Sequence, residues 1–217
     1  MNSISRTLAV SIAIFHFADV AHAAEATQPP VPDRMGWNYI HFSAGSFSPD
    51  SNAQLPNANG HYGLALGFGS RYSRHVAWEV EFFNSDQAVD TPSIPTGFFT
   101  VLDQRADIST VGLAGNVRFI YPLGRFEPYV GGGIGFYRTE MEISGSTFGL
   151  PGSLKKNDNG FGLQLLAGME YYFGQRTQHS LGVQYRTLSL DADFGREVAG
   201  KVNVGGDFWF LTYRRSF

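Results

Sequence analysis

Apolar and polar side chains alternate, residue by residue, along most of the chain after Met35. A period of two places one set of side chains on each face of an extended strand, and no part of this region shows the 3.6-residue period of a helix. Eight stretches carry the pattern: residues 36–47, 60–72, 75–85, 106–121, 126–142, 160–173, 178–190 and 201–217. Each reaches the about 9 to 11 residues that a tilted strand needs to cross a bilayer. The sequence therefore predicts an all-β chain with eight long strands.

The composition agrees with this fold and excludes several functions. Of 217 residues, 26 are glycine and 15% are aromatic, whereas only 16% are charged; this mixture is poor in helix formers and rich in strand formers. The absence of cysteine excludes disulfides, zinc–thiolate sites and cysteine catalysis. A formal net charge of -3 gives no basic face for nucleic acid. We expect no cofactor.

The connections between the strands alternate in length. The short joints lie at 71–75, 122–125 and 174–178, and the longer, polar ones near 48–59, 86–105, 143–159 and 191–200. Short turns on one rim and long loops on the other, with an even strand number, are typical of a bacterial outer-membrane barrel. A soluble, lipocalin-like barrel is the alternative.

The two faces of each strand separate these alternatives. In the third stretch Trp78, Val80 and Phe82 alternate with Glu79 and Glu81. The polar face elsewhere contains too much glycine for a solvated exterior, since small residues suit a crowded lumen. Aromatic residues near strand ends fit a membrane girdle, to which we assign Trp37, Tyr39, Tyr72, Tyr121, Tyr137, Tyr171, Tyr172 and Tyr213. The sequence therefore predicts an eight-stranded antiparallel up-and-down transmembrane β-barrel with short periplasmic turns and long extracellular loops.

The N-terminus has the layout of an export signal. Arg6 precedes an apolar run at 8–18, and the small residues Ala21 and Ala23 frame a signal-peptidase site. The run is shorter than the about 20 residues of a spanning helix. We predict a signal peptide at 1–23, a proline-rich periplasmic lead-in at 24–34 and the barrel domain at 35–217.

Two segments resemble known outer-membrane barrels. The alternating C-terminal strand, interrupted by Arg215, resembles the signal read by the barrel-assembly machinery of Gram-negative bacteria; its signal residues are Trp209, Leu211, Tyr213 and Phe217. The stretch FEPYVGGGIGF at 126–136 resembles the fifth strand of the outer-membrane protein A-like barrel domain. The resemblance implies a monomeric surface barrel in the bacterial outer membrane, in contact with lipid, lipopolysaccharide and the assembly machinery. It marks an architecture rather than an activity.

By parity, the inward face carries charges of both signs. The predicted luminal polar network comprises Arg71, Glu79, Glu81, Arg118, Glu127, Gln164, Glu170, Gln184 and Arg186. The interior of an eight-stranded barrel is only wide enough for side chains to fill it, and unpaired charges there are costly. We expect cross-lumen salt bridges that form either a plug or a gated polar pathway.

One pattern suggests an enzyme, because some small outer-membrane barrels are lipid A hydrolases with a His-x-Ser pair. Here His41 and Ser43 flank Phe42, which lies on the predicted lipid face, so the pair turns inward, away from any lipid ester. We therefore predict no enzyme. We also predict no metal site, because the histidines after the predicted signal peptide, at 41, 61, 75 and 179, are scattered and show no metal-ligand spacing. Three functions remain open: a structural, surface-exposed barrel, which we favour; a narrow channel for small or hydrophobic solutes; and an adhesin that acts through its loops.

Overall fold

The computed structural model describes residues 34–49, 58–91, 95–96, 99–100, 102–147, 150–174, 178–194 and 201–217. The strands are β1 (Asn38–Pro49), β2 (Ala58–Arg71), β3 (Val76–Thr91), β4 (Pro95–Thr96), β5 (Phe99–Thr100), β6 (Leu102–Ile120), β7 (Phe126–Thr147), β8 (Leu150–Phe173), β9 (His179–Asp193), β10 (Lys201–Asn203) and β11 (Gly206–Ser216). No helix among these residues is long and apolar enough to cross a membrane. The predicted signal peptide and residues 24–33 of the predicted lead-in lie outside the described residues.

Eight long strands close into one antiparallel barrel. Its strands pair in the order β1, β2, β3, β6, β7, β8, β9 and β11, and β11 returns to pair with β1. At this seam Phe42 lies opposite Tyr213, and Ser43 lies opposite Thr212. Closure pairs both edges of the sheet, which removes the free edges of an open sheet. The predicted all-β, eight-stranded antiparallel barrel is confirmed.

Short connections join the strands at the rim where β1 begins and β11 ends, which we call the turn rim. Between β2 and β3, Ser73 Oγ accepts hydrogen bonds from the backbone N–H groups of His75 (3.2 Å) and Val76 (3.1 Å). Gly124 and Gly174, in the next two connections, have φ angles of 66° and 90°. These are left-handed conformations that glycine adopts without steric cost. The opposite rim is called the loop rim.

The outer face of the barrel is apolar. Ile134, Leu163 and Trp209 are 63%, 65% and 60% exposed, and similar side chains surround the barrel at outward positions of every long strand. Soluble monomers rarely expose a continuous apolar surface of this kind. The apolar face of the alternating pattern therefore points outward, as predicted for strands that meet lipid.

At the loop rim, the long strands continue into segments that the sequence analysis assigned to loops. β7 and β8 contain 22 and 24 residues and pair from Phe126 opposite Tyr171 as far as Thr147 opposite Leu150. The prediction of a loop at 143–159 is thus wrong. The backbone ladder does not require an apolar face, so polar residues beyond the membrane belt extend the hairpin. Similarly, β3 and β6 pair as far as Thr91 opposite Gln104.

The last predicted strand, 201–217, is divided. β10 pairs with the end of β9, with Val202 opposite Ala192, whereas β11 pairs with β9 and β1 and forms part of the barrel wall. Gly205 lies between them, and a Cβ on Gly205 would overlap the carbonyl group of Leu188. The close backbone approach at this point therefore requires glycine.

Candidate functional site in the barrel interior

The structure places the whole predicted luminal network inside the barrel. Each of these side chains is at most 4% exposed: Arg71, Glu79, Glu81, Arg118, Glu127, Gln164, Glu170, Gln184 and Arg186. Their inward direction follows from the pleat, which turns alternate residues of a strand to opposite faces. Three groups of charged residues lie in succession from the turn rim toward the middle of the barrel.

The first group lies at the turn rim and joins one glutamate to two arginines. Arg71 Nη1 donates to Glu127 Oε2 at 2.6 Å, and Arg34 Nη1 donates to Glu127 Oε1 at 2.5 Å. Arg71 Nη2 also donates to the carbonyl oxygen of Arg74. Arg34, the last residue of the predicted lead-in, is therefore packed inside the barrel mouth. The sequence analysis missed it because it precedes the first strand.

The second group contains two glutamates and two arginines. Arg118 donates from Nη1 to Glu79 Oε1 at 2.7 Å and from Nη2 to Glu170 Oε1 at 2.5 Å. Arg214 Nη2 lies 2.9 Å from the same Glu79 oxygen and 3.1 Å from the same Glu170 oxygen. The sequence analysis missed Arg214, although its position between the outward residues Tyr213 and Arg215 signals an inward direction.

The third group is a bidentate pair. Arg186 donates from Nη1 to Glu81 Oε1 at 2.5 Å and from Nη2 to Glu81 Oε2 at 2.8 Å. The Arg186 guanidinium also lies 5.1 Å from the centre of the Phe210 ring, within the range of a cation–π contact. Nearby, Gln164 Nε2 donates to Asn116 Oδ1. Beyond this level the buried polar side chains among the described residues are uncharged: Ser85, Gln87, Thr110 and Thr139.

Toward the loop rim the interior is mainly apolar, which the sequence analysis did not predict. Phe208 is fully buried, stacks on Phe47 with ring centroids 4.3 Å apart, and meets Phe83 edge to face at 5.2 Å. The same cluster includes Ile108, Met141, Leu188, Leu190, Phe194, Val202, Val204 and Phe210. The alternation implies an inward direction for those of these residues that lie in the predicted strands, but the sequence analysis assigned only polar residues to the lumen. Phe194 lies in a segment that it assigned to a loop.

Tyrosines inside the barrel lie over glycines. A Cβ on Gly135 would lie 2.6 Å from the Tyr137 ring, and one on Gly168 would lie 2.5 Å from the Tyr129 hydroxyl. Tyr39, Tyr137 and Tyr172 are buried, so their assignment to the membrane girdle is wrong: they occupy inward positions of their strands. Glycine on the inward face therefore makes room for aromatic rings, whereas Tyr72, Tyr121, Tyr171 and Tyr213 are exposed.

His41 and Ser43 lie inside the barrel, as the sequence analysis expected. Ser43 Oγ is 2.8 Å from Thr212 Oγ1, and His41 Nε2 is 3.9 Å from Glu81 Oε2 and 4.0 Å from Glu79 Oε2. The serine is thus hydrogen-bonded to a threonine, and both side chains are closed off from the lipid face. Within the described residues, no group of histidine, aspartate and glutamate side chains could hold a metal ion.

Three residues of the predicted assembly signal lie on the outer face of β11, and the fourth, Phe217, is the C-terminal residue. Trp209, Leu211, Tyr213 and Phe217 are all exposed. Tyr213 Oη lies 2.8 Å from Nδ1 of His179 on β9, and the two rings are stacked. Beyond the apolar belt, Lys155 Nζ lies 2.6 Å from Glu140 Oε1 on the protruding hairpin. That hydrogen bond raises the pKa of the Lys155 ammonium.

A closed eight-stranded antiparallel barrel with an apolar exterior and a charged interior defines the class of small transmembrane barrels of the bacterial outer membrane. The chain belongs to the family of outer membrane protein beta-barrel domains, which it matches over residues 7–208. It is thus an outer-membrane protein.

Solved structures show the same fold. Neisserial surface protein A (NspA) is 15% identical, with a TM-score of 0.51 over 83% of this chain and 97% of that chain. The outer membrane protein OprG from Pseudomonas aeruginosa is 14% identical, with a TM-score of 0.52 over 87% of this chain and 99% of that chain. A comparison with curated proteins finds no match. At such identities the likeness concerns the fold alone.

Proposed function

We propose that this protein is a non-enzymatic, structural barrel of the cell surface whose lumen is closed by its own side chains. The burial of the luminal charges carries this proposal. A water-filled passage would leave the side chains that line it exposed to water, yet every charged residue of the three groups is at most 5% exposed. The lumen is therefore filled by side chains, as the narrow interior of an eight-stranded barrel allows.

Salt bridges across the lumen support the plug. Glu81 on β3 binds Arg186 on β9, and Arg71 on β2 binds Glu127 on β7; neither pair of strands is adjacent in the barrel. Opening a passage would separate such pairs and leave charges buried without partners, at about 3 to 5 kcal/mol for each broken pair. The pairs thus brace opposite walls and oppose opening.

The apolar cluster toward the loop rim argues against a polar channel. A polar solute entering from that side would meet Phe47, Phe83 and Phe208 before any charged residue. Phe208 is 0% and Phe83 1% exposed, so these rings are in contact with protein on all sides. We therefore favour a closed barrel over a channel.

Liposome swelling tests the plug. The wild type and an Arg118→Ala, Arg186→Ala double variant are reconstituted and challenged with small neutral and charged solutes. A Lys155→Ala, Glu140→Ala variant, which removes an exposed ion pair, is the matched control. We expect swelling in the Arg118, Arg186 variant only. Swelling by the wild type would contradict the proposal and make the protein a channel.

The protruding hairpin favours a second candidate, binding at the cell surface. Above the ring pair Phe136 and Phe161, outward positions of β7 and β8 change from apolar to polar or charged, and Arg138, Glu142 and Lys155 are exposed. Pairing with β9 begins only at Gly162, so the hairpin stands above that side of the barrel. Cells that display the wild type or a barrel with residues 142–155, which include Glu142 and Lys155, replaced by a two-residue turn would be compared for adhesion. Equal adhesion would reject this candidate.

A further inference from the structure

The three buried charge groups are not equally balanced. In the second group Arg118 and Arg214 face Glu79 and Glu170, and in the third Arg186 faces Glu81. In the first group Glu127 alone faces Arg34 and Arg71. One positive charge of this group is therefore not matched by a glutamate among the described side chains. This first group lies at the turn rim, closer to water than the other two groups.

Arg34 carries the unmatched charge. Its Nε and Nη2 are buried and have no hydrogen-bond partner within the described part of the chain. By contrast, each nitrogen of the neighbouring Arg71 has an acceptor: Nε and Nη2 donate to the carbonyl oxygens of Ser73 and Arg74, and Nη1 donates to Glu127. The guanidinium of Arg34 is held in place, since it stacks 3.8 Å from the centre of the Tyr172 ring. A fixed, buried and partly unpaired guanidinium is costly unless it binds an acceptor.

A small cavity adjoins these groups. Arg34, Arg71, Arg214, Trp37, Tyr172 and Ser216 contribute to its lining, and it has room for about one water-sized particle. One oxygen atom of a larger anion would fit this space. Two further arginines lie at the turn rim: Arg74 is exposed and Arg125 is half-buried. Glu127 is the acidic side chain that contacts Arg34 and Arg71, and Glu170, opposite Glu127 on β8, is paired with Arg118 and Arg214.

We propose that the mouth of the barrel at the turn rim is a binding site for a phosphate group, with Arg34 as its principal ligand. Guanidinium groups form strong, charge-assisted hydrogen bonds to phosphate oxygens, and a fixed guanidinium loses little freedom on binding. The phosphate is either a free anion or the headgroup of an anionic phospholipid in the adjoining leaflet. The site is independent of whether the lumen conducts.

The test compares three forms of the full chain refolded in phosphatidylcholine vesicles: the wild type, Arg34→Gln, and Arg138→Gln. Arg138 is exposed on the protruding hairpin at the opposite rim, so its substitution makes the same charge change away from the site. Inorganic phosphate is titrated. At each phosphate concentration, samples are taken to a series of temperatures and loaded on gels without boiling, and the thermal unfolding midpoint is read from the intensity of the folded band. We expect phosphate to raise the midpoint of the wild type and of Arg138→Gln, and the response to be lost in Arg34→Gln.

A second arm distinguishes the source of the phosphate. In phosphate-free buffer, part of the phosphatidylcholine is replaced by phosphatidylglycerol, and lipid retained on the protein is counted by native mass spectrometry. Retention by the wild type but not by Arg34→Gln supports a headgroup ligand, whereas a response to inorganic phosphate alone supports a free anion. Failure of the wild type to respond in either arm, or an equal response of Arg34→Gln, overturns the proposal.

A variant of opposite sign keeps the test decisive if Arg34→Gln does not fold. Glu127→Gln removes the carboxylate that competes for both arginines, so half-saturation should occur at a phosphate concentration lower by about tenfold, on the scale of one charge-assisted hydrogen bond. An unchanged or weaker response of Glu127→Gln would also overturn the proposal.

Discussion

Arg118→Met is the substitution whose effect the structure defines most sharply. Arg118 is 2% exposed, binds Glu79 and Glu170 at 2.7 Å and 2.5 Å, and lies 3.5 Å from the centre of the Tyr129 ring. Methionine fills much of the same volume without the charge. The substitution therefore leaves two buried carboxylates with a single arginine, Arg214.

The expected loss follows from these contacts. Removing one partner of a buried ion pair costs about 3 to 5 kcal/mol, and loss of the ring contact adds about 0.5 to 2 kcal/mol. Arg214 still lies 2.9 Å from Glu79 and 3.1 Å from Glu170, which offsets part of the loss. We expect Arg118→Met to lower the free energy of unfolding by about 3 to 5 kcal/mol.

Urea unfolding of the refolded protein in lipid vesicles, followed by tryptophan fluorescence, measures this loss. The double variant Arg118→Met, Glu170→Gln restores one arginine to one glutamate and should recover about 1 to 3 kcal/mol relative to Arg118→Met. Arg138→Met, at an exposed position, should change stability by less than about 0.5 kcal/mol. A loss below about 1 kcal/mol for Arg118→Met, or further destabilisation by Glu170→Gln, would refute the reasoning.

Two further predictions concern the faces of the strands and the C-terminus. Gly135→Ala would bring a Cβ to 2.6 Å from the Tyr137 ring and should lower the free energy of unfolding by about 1 to 3 kcal/mol. Gly115→Ala, whose Cβ would have nothing within 4 Å, should leave it unchanged in the same urea titration. Equal losses of stability in the two variants would contradict the assignment of faces. Phe217→Ser should reduce the folded barrel recovered from cell outer membranes without changing the stability of the refolded protein, as heat-modifiability gels can measure; an unchanged cellular level would reject the assembly role.

The alternating pattern predicted which side chains point inward, because direction on a strand is a local property with a period of two. It did so for Glu79, Glu127 and Arg186 without any knowledge of their partners. It failed where a second, non-local criterion was added: Tyr137 was assigned to the girdle from its nearness to a strand end, although its parity placed it inside. Arg34 had no strand to which parity could apply.

The extent of the strands was also beyond the pattern. Residues 143–159 lack the apolar alternation of a membrane strand, but the backbone of β7 and β8 continues to pair through most of them. Backbone hydrogen bonds depend on the neighbouring strand rather than on side-chain polarity, so the end of the membrane belt and the end of the strand are different points.

The sequence by itself determined the strand number, the closed antiparallel class and the apolar exterior, because each depends on short-range alternation and chain length. Only the tertiary structure decided which charges meet and where the unmatched charge lies. Glu81 and Arg186 are 105 residues apart, and Glu79 and Arg214 are 135 apart. Their heights in the lumen depend on the register between all the strands that separate them, and no single strand encodes that register.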